Sequence, residues 1–250
     1  MNSSNNRHRP TQFIILMMLV IIAILSLSSL QGCGQSEQGD NGDQQPLAIT
    51  ESGDYTLSGE MNVPVIIDAE GDDIEILLDN LYIETVGQPA LQIVNADSVT
   101  LILPEGSVNT FKDSAAYYDG QKGKGCISSQ SDLHIRGVGT LNVNGYHENA
   151  IDCKDRLYIE ESTVAISTKG DGINANDGIS IVNGNVSIES EGYGLKTTKT
   201  GKKDKGDINI SGGYLSIIAG KYGIHAQNHL LIDNCVTEIK GVLGEYEERE

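Results

Sequence analysis

Residues Asn149–Gly170 read NAIDCKDRLYIEESTVAISTKG, and Asp171–Gly192 read DGINANDGISIVNGNVSIESEG. The two segments match in pattern. Aligning the chain on its small-then-apolar pairs, Cys126-Ile127, Ala150-Ile151, Gly172-Ile173, Gly194-Leu195 and Gly223-Ile224, puts the repeats about 22 residues apart. The last step is lengthened by the polar stretch TGKKDKG. Apolar residues then fall into five columns. The first is Ile127, Ile151, Ile173, Leu195 and Ile224. The second and third are Leu133, Leu157, Ile179, Ile208, Leu230 and Ile135, Ile159, Ile181, Ile210, Ile232. The fourth is Leu141, Val164, Val186 and Leu215, broken by Thr237, and the fifth is Val143, Ile166, Ile188, Ile217 and Ile239. A chain that repeats at this interval must stack its repeats, because one unit cannot bury its own apolar face.

Within each repeat the apolar residues alternate with period two, and turns rich in Gly, Asn and Asp separate three short strands. No sustained helical period follows residue 46. Stacked repeats place each Ile about 4.8 Å from its equivalent, in parallel register. The expected fold is all-β, a right-handed single-stranded parallel β-helix with about 22 residues per rung. Leucine-rich repeats need a Leu-x-x-Leu-x-Leu pattern and an Asn ladder, which are missing. Hexapeptide helices need a six-residue period, and propeller blades are about twice as long. Ile49–Asp68 reads as the entry coil and first rung, and the charged tail VLGEYEERE follows the last clear rung.

The chain opens with Arg7 and Arg9 ahead of an almost unbroken apolar run, Phe13–Leu30. That order is an export signal. Leu30-Gln31-Gly32-Cys33 resembles a bacterial lipobox, with Cys33 as the lipidated residue; the competing reading is an uncleaved membrane anchor. The domain plan is therefore a signal peptide over 1–32, a flexible lipid-anchored tether over 33–46, and the repeat domain over 47–250. The expected location is the extracytoplasmic face of the bacterial cell membrane. Removing Arg7 and Arg9 and no acid takes the net charge from −18 to −20. Such acidity argues against nucleic acid and suits a soluble surface or a cation-binding protein. Cys126, Cys153 and Cys235 remain, an odd number with no zinc spacing, and read as free, mostly buried thiols.

Two features sit outside the columns. Thr110–Lys124, TFKDSAAYYDGQKGK, reads as a long loop inserted between the second and third ladders. Such loops on rigid scaffolds often carry binding residues. The acids and amides form the second feature. Two residues before the first-column Ile stand Asn149 and Asp171, one after it Asp152 and Asn174, and four after it Asp155 and Asp177. Carboxylates stacked at ~4.8 Å repel by ~1 kcal/mol in water and several-fold more at a protein surface. Calcium, which takes six to eight oxygen ligands, would relieve that repulsion, so these six residues are the candidate Ca2+ ligands. Turn chemistry is the rival explanation of the same residues. In the next rungs the columns become Tyr193, Tyr222, Lys196 and His225. Tyr193, Lys196 and Tyr222 are the candidate ligand-binding residues, since Tyr faces stack on sugar rings and Lys pairs with carboxylates. Lys196 opens a basic run with Lys199, Lys202, Lys203 and Lys205.

The columns, together with GDGINANDGISIVNGNVSIES and the strand RGVGTLNVNG, resemble the calcium-binding, carbohydrate-binding β-helix proteins of cellulolytic clostridia. That family is similar in fold to the calcium-dependent pectate lyases. The resemblance covers roughly Ile49–Gly241. It implies an extracellular protein that binds plant cell-wall polysaccharide, polygalacturonate or cellulose, with calcium held by acids on adjacent rungs. The full Gly-Asp-Gly-Ile stands at Gly170–Ile173, while Glu148–Ile151 is degenerate and the following rung has Tyr193. The expected function is a non-catalytic carbohydrate-binding cell-surface lipoprotein. The alternatives are a calcium-dependent polysaccharide lyase with Lys196 as base, and a surface scaffold or adhesin with no sugar site.

Overall fold

A computed structural model describes residues 45–201, 203 and 205–242. The expected signal peptide over 1–32, Cys33 and residues 34–44 of the expected tether, residues 202 and 204, and the tail 243–250 lie outside the described residues. The described residues hold 22 strands and no helix. Every ladder pairing is parallel. The fold is all-β, built from long parallel sheets that fit a β-helix or solenoid.

One sheet of eight strands forms the first ladder, from Leu47–Ile49 to Ile224–His225. The other sheet has 14 strands and contains both remaining ladders. The second ladder runs from Ser98–Ile102 to Leu230–Asp233, and the third from Val108–Lys112 to Val236–Val242. They meet at the long strand Asp73–Glu84, whose first half pairs with Ser98–Ile102 and whose last residues pair with Val108–Lys112. Gly53–Met61 runs beside it along its length, with a register shift at Ser58/Gly59. Near the N-terminus, then, the expected second and third strands are one.

Each neighbouring pair in the five apolar columns is a ladder pair. Ile151 faces Ile127 and Ile173; Leu157 and Ile159 face Ile179 and Ile181; Val164 and Ile166 face Val186 and Ile188. Thr237, the column break, faces Leu215. The stacked Ile, Leu and Val side chains form one buried core that thins at the last turn, where Leu230 and Ile239 are partly buried and Ile232 is 38% exposed. Burying each such side chain contributes about 1.5–3 kcal/mol against the chain entropy of the turns.

The bend between second and third ladders carries a left-handed residue in turn after turn: Gly59, Asn80, Gly137, Glu161, Asn183, Gly212 and Asn234 all have positive φ. Gly and Asn occupy this conformation at least cost; Glu161 is the exception, at φ 59°. Backbone amides near the Asn80 bend are satisfied by side chains. Asn109 Oδ1 accepts from Leu81 N at 2.9 Å, and Asn80 Oδ1 accepts from Val108 N at 3.1 Å.

The segment expected as a loop between second and third ladders lies elsewhere. Thr110–Lys112 belong to the third-ladder strand Val108–Lys112, and residues 113–124 lead on to the first-ladder strand Gly125–Ser129. The period-two pattern does not say at which corner an insertion occurs. The loop is tied down: Tyr118 N donates to Gly87 O at 2.7 Å, and Gln92 Nε2 donates to Lys122 O at 3.1 Å.

Candidate functional site

The site lies along the first ladder and the corner that feeds it. Successive turns approach closely there. A Cβ on Gly172 would stand 2.6 Å from Gly194 O, and one on Gly194 would stand 2.4 Å from Gly223 O. Glycine at these positions lets the turns close up. The flanking residues of each turn, Asp171, Tyr193 and Tyr222, are thereby stacked on the outside, and none is fully buried.

The amides and acids at the start of the ladder form a chain of contacts. Asn149 Oδ1 accepts from Asp171 N at 3.0 Å, and Asp171 Oδ1 accepts from Tyr193 N at 2.9 Å. Each side chain thus caps the next turn's backbone, so the turn chemistry weighed for these residues is realised for Asn149 and Asp171. Asp152, 1% exposed, faces Asn174 across the ladder. Its Oδ1 accepts from Asn174 Nδ2 at 2.7 Å and from Asn149 Nδ2 at 3.2 Å, and its Oδ2 faces Lys154 Nζ at 3.3 Å. Asn174 Oδ1 is buried and has no hydrogen-bond partner.

The six candidate metal ligands divide into two groups. Asn149, Asp152, Asp171 and Asn174 are linked as described. Asp155 and Asp177 sit apart, near Asp132, where Lys205 pairs with Asp177. Burial pushes the Asp155 carboxyl above its ordinary range, and the neighbouring charges of Asp132 and Asp177 add to the shift. Asp177 holds the Lys205 ammonium above its ordinary value. Among the described residues no three His, Cys, Asp or Glu side chains converge as a metal cluster. Any cation at the first group would therefore draw on the amide oxygens of Asn149 and Asn174 as well as on Asp152 and Asp171, a hard donor set of the kind calcium takes.

The three candidate ligand-binding residues come together. The Tyr193 and Tyr222 rings stack with centroids 5.7 Å apart. Lys196 Nζ lies 4.6 Å from the Tyr193 centroid and 3.1 Å from Asp171 Oδ2. Sequence reasoning missed Lys221, whose Nζ lies 5.4 Å from the same centroid. Its place beside Tyr222, in a turn that packs on Gly192, was the available signal. His225, in the Lys196 column, closes the group at 5.5 Å from Tyr193. Two cations against a stacked aromatic pair form a surface suited to a sugar ring or a uronate.

The fold and this edge together define a solenoid that presents aromatic and cationic side chains from consecutive rigid turns. Residues 43–249 match a family model described as a carbohydrate-binding domain-containing protein, and the chain belongs to that family. A relative from Acetivibrio thermocellus with the same description is 30% identical over 129 residues, which make up 49% of this chain and 45% of the relative. The chain thus spans less than half the length of that relative. A solved structure, the gadolinium derivative of a polysaccharide lyase-like protein from C. thermocellum, is 26% identical with a TM-score of 0.69, over 80% of this chain and 87% of that one.

Proposed function

We propose that this chain is a non-catalytic, calcium-assisted carbohydrate-binding lipoprotein of the bacterial cell surface. In this reading the solenoid is a right-handed single-stranded parallel β-helix of about 22 residues per rung. Cys33 carries the lipid, and residues 33–46 hold the domain away from the outer face of the membrane. The ligand is a plant cell-wall polysaccharide of the polygalacturonate or cellulose kind. One observation carries the reading: Lys196 and Lys221 flank the stacked Tyr193–Tyr222 pair, directly beside the oxygen-rich edge. Tyr193 and Tyr222 offer a platform for a pyranose face, and the two lysines offer positive charge to a uronate carboxylate.

Calcium fits the adjoining residues. The unpartnered Asn174 Oδ1, buried next to Asp152, is an oxygen donor awaiting an electropositive partner. Asn149, Asp152, Asp171 and Asn174 would hold the ion, and Asp155 with Asp177 would form a second position in competition with Lys205. When bound, calcium would link protein carboxylates to those of an acidic polysaccharide.

The decisive experiment is retention of the protein on immobilised polygalacturonate, first with calcium and then with chelator. Retention lost on chelation supports the reading, and absence of retention in both buffers removes polygalacturonate as the ligand. The second reading, a lyase, is favoured by the polysaccharide lyase-like neighbour. Lys196 would be its base, although here its Nζ is turned to Asp171 and the Tyr193 ring. Unsaturated product from polygalacturonate that disappears in Lys196→Ala would establish the lyase.

A further inference from the structure

The acids along the first ladder carry cations supplied by the chain itself. Asp152, Asp171 and Asp177 each have a lysine ammonium against them: Lys154 at 3.3 Å, Lys196 at 3.1 Å and Lys205 in direct contact. The acid side chains are sheltered, 1%, 14% and 6% exposed in that order. A carboxylate buried to that degree stays ionised only beside an opposite charge, and here a lysine provides it each time.

Lys196 differs from the other two. Its side chain is 27% exposed, against 37% for Lys154 and 36% for Lys205. Its ammonium also has a second partner, the Tyr193 ring, 4.6 Å from the centroid. One lysine therefore touches both the acid ladder and the face proposed for the sugar.

The oxygen that Lys196 holds is the one a metal ion would need. Asp171 Oδ1 accepts from Tyr193 N at 2.9 Å and lies tight against the next turn, leaving no room there for a Cβ on Gly192. Asp171 Oδ2 is the oxygen turned to Lys196. Asp152 is arranged in the same way, with Oδ1 accepting from Asn174 and Asn149 and Oδ2 facing Lys154. In both acids one oxygen is committed to amides and the other to an ammonium. An ammonium and a divalent cation on the same oxygen would bring like charges within a few ångström of each other, so one excludes the other.

We infer that Lys196 is a counter-ion shared by the two sites: it holds Asp171 Oδ2 until calcium takes that carboxylate, and it then serves the Tyr193 face, where it meets the carboxylate of a uronate. The inference rests on the calcium-assisted binding proposed above and adds how the two ligands depend on each other. The dependence is reciprocal: a uronate that draws Lys196 away from Asp171 tightens calcium binding by the same factor.

Two measurements on the full chain test this. The first is lysine labelling with acetic anhydride, read by mass spectrometry, in calcium and in chelator. Lys196 is expected to label several-fold faster in calcium, because its amine leaves a sheltered ion pair. Lys112, paired with Glu84 away from the acid ladder, is the reference that calcium leaves unchanged. The second is calorimetric titration of calcium into the parent and into Lys196→Met. Methionine keeps an unbranched apolar stem beside Tyr193 and removes the charge. The variant is expected to bind calcium about tenfold more tightly. Equal calcium affinity in the two proteins, or labelling of Lys196 that ignores calcium, overturns the shared counter-ion and leaves the calcium-assisted reading standing. Calcium that binds neither protein overturns both.

Discussion

The buried carboxyl of Asp113 shows how one residue sets a local pH response. Tyr117 Oη lies 2.5 Å from Asp113 Oδ2 and 3.1 Å from Gly125 O, two acceptors for a single hydroxyl hydrogen. Both contacts are satisfied when Asp113 carries a proton, and burial does push its carboxyl above the ordinary range. The folded state therefore holds this proton more tightly than the unfolded chain. The associated stability is fully present below the ordinary Asp range and is lost as pH rises through the folded value. Asp113→Asn keeps an acceptor for Tyr146 N and gives Tyr117 a permanent donor. It is expected to flatten the pH dependence of the urea midpoint on the acid side and to be no less stable at neutral pH. A steeper dependence in the variant would show that the proton sits elsewhere. Two of the thiols follow the same logic of burial: Cys153 is pushed up to about 12, and Cys126 is also raised strongly. Both are unreactive core residues, as their spacing suggested.

At the scale of the element, the bend joining second and third ladders is the most demanding feature. Asn109 is fully buried, in a position where the facing strand has Leu141. It supplies an acceptor to Leu81 N and a donor to Ser107 Oγ and Thr140 O. Asn109→Leu would fit the apolar column and leave the Leu81 amide unpaired. The expected loss is about 2 kcal/mol in denaturant unfolding. A neutral result would mean that water replaces the side chain. Glu161 presents the opposite opportunity. Its positive φ is one that Asn80, Asn183 and Asn234 adopt at other bends. Glu161→Asn is expected to stabilise by about 0.5–1 kcal/mol, read as a higher urea midpoint at unchanged slope.

For the whole molecule, stability is distributed along a stack in which each turn touches its neighbours. A cation bound between turns would couple them. Calcium at about a hundredfold above its dissociation constant is expected to add about 2.7 kcal/mol and raise the melting midpoint by several degrees. Asp152→Asn should abolish the shift, and a midpoint indifferent to calcium and chelator would remove the ion from the proposed function.

The strand columns could be read from the sequence because period-two alternation and turn residues are local signals. Ile151 over Ile173, and Leu157 over Ile179, follow once repeats are aligned. The Tyr193, Lys196 and Tyr222 grouping followed for the same reason, since side chains at equal offsets in stacked repeats must be neighbours. Other features were decided by tertiary structure alone. Alternation slips phase at Asp79-Asn80, from Ile74, Ile76 and Leu78 to Leu81 and Ile83, which reads locally as a break between two strands, yet Asp73–Glu84 is one strand joining two ladders. The partner of each acid was equally hidden. Asp177 takes Lys205, 28 residues on, and Asp171 takes Lys196, 25 residues on. Those pairs depend on where a polar insertion folds back and on which turn comes within reach. In this chain, repetition made the scaffold predictable, while the pairing of its charges and the shape of its grooves came from long-range contacts that no short window of sequence contains.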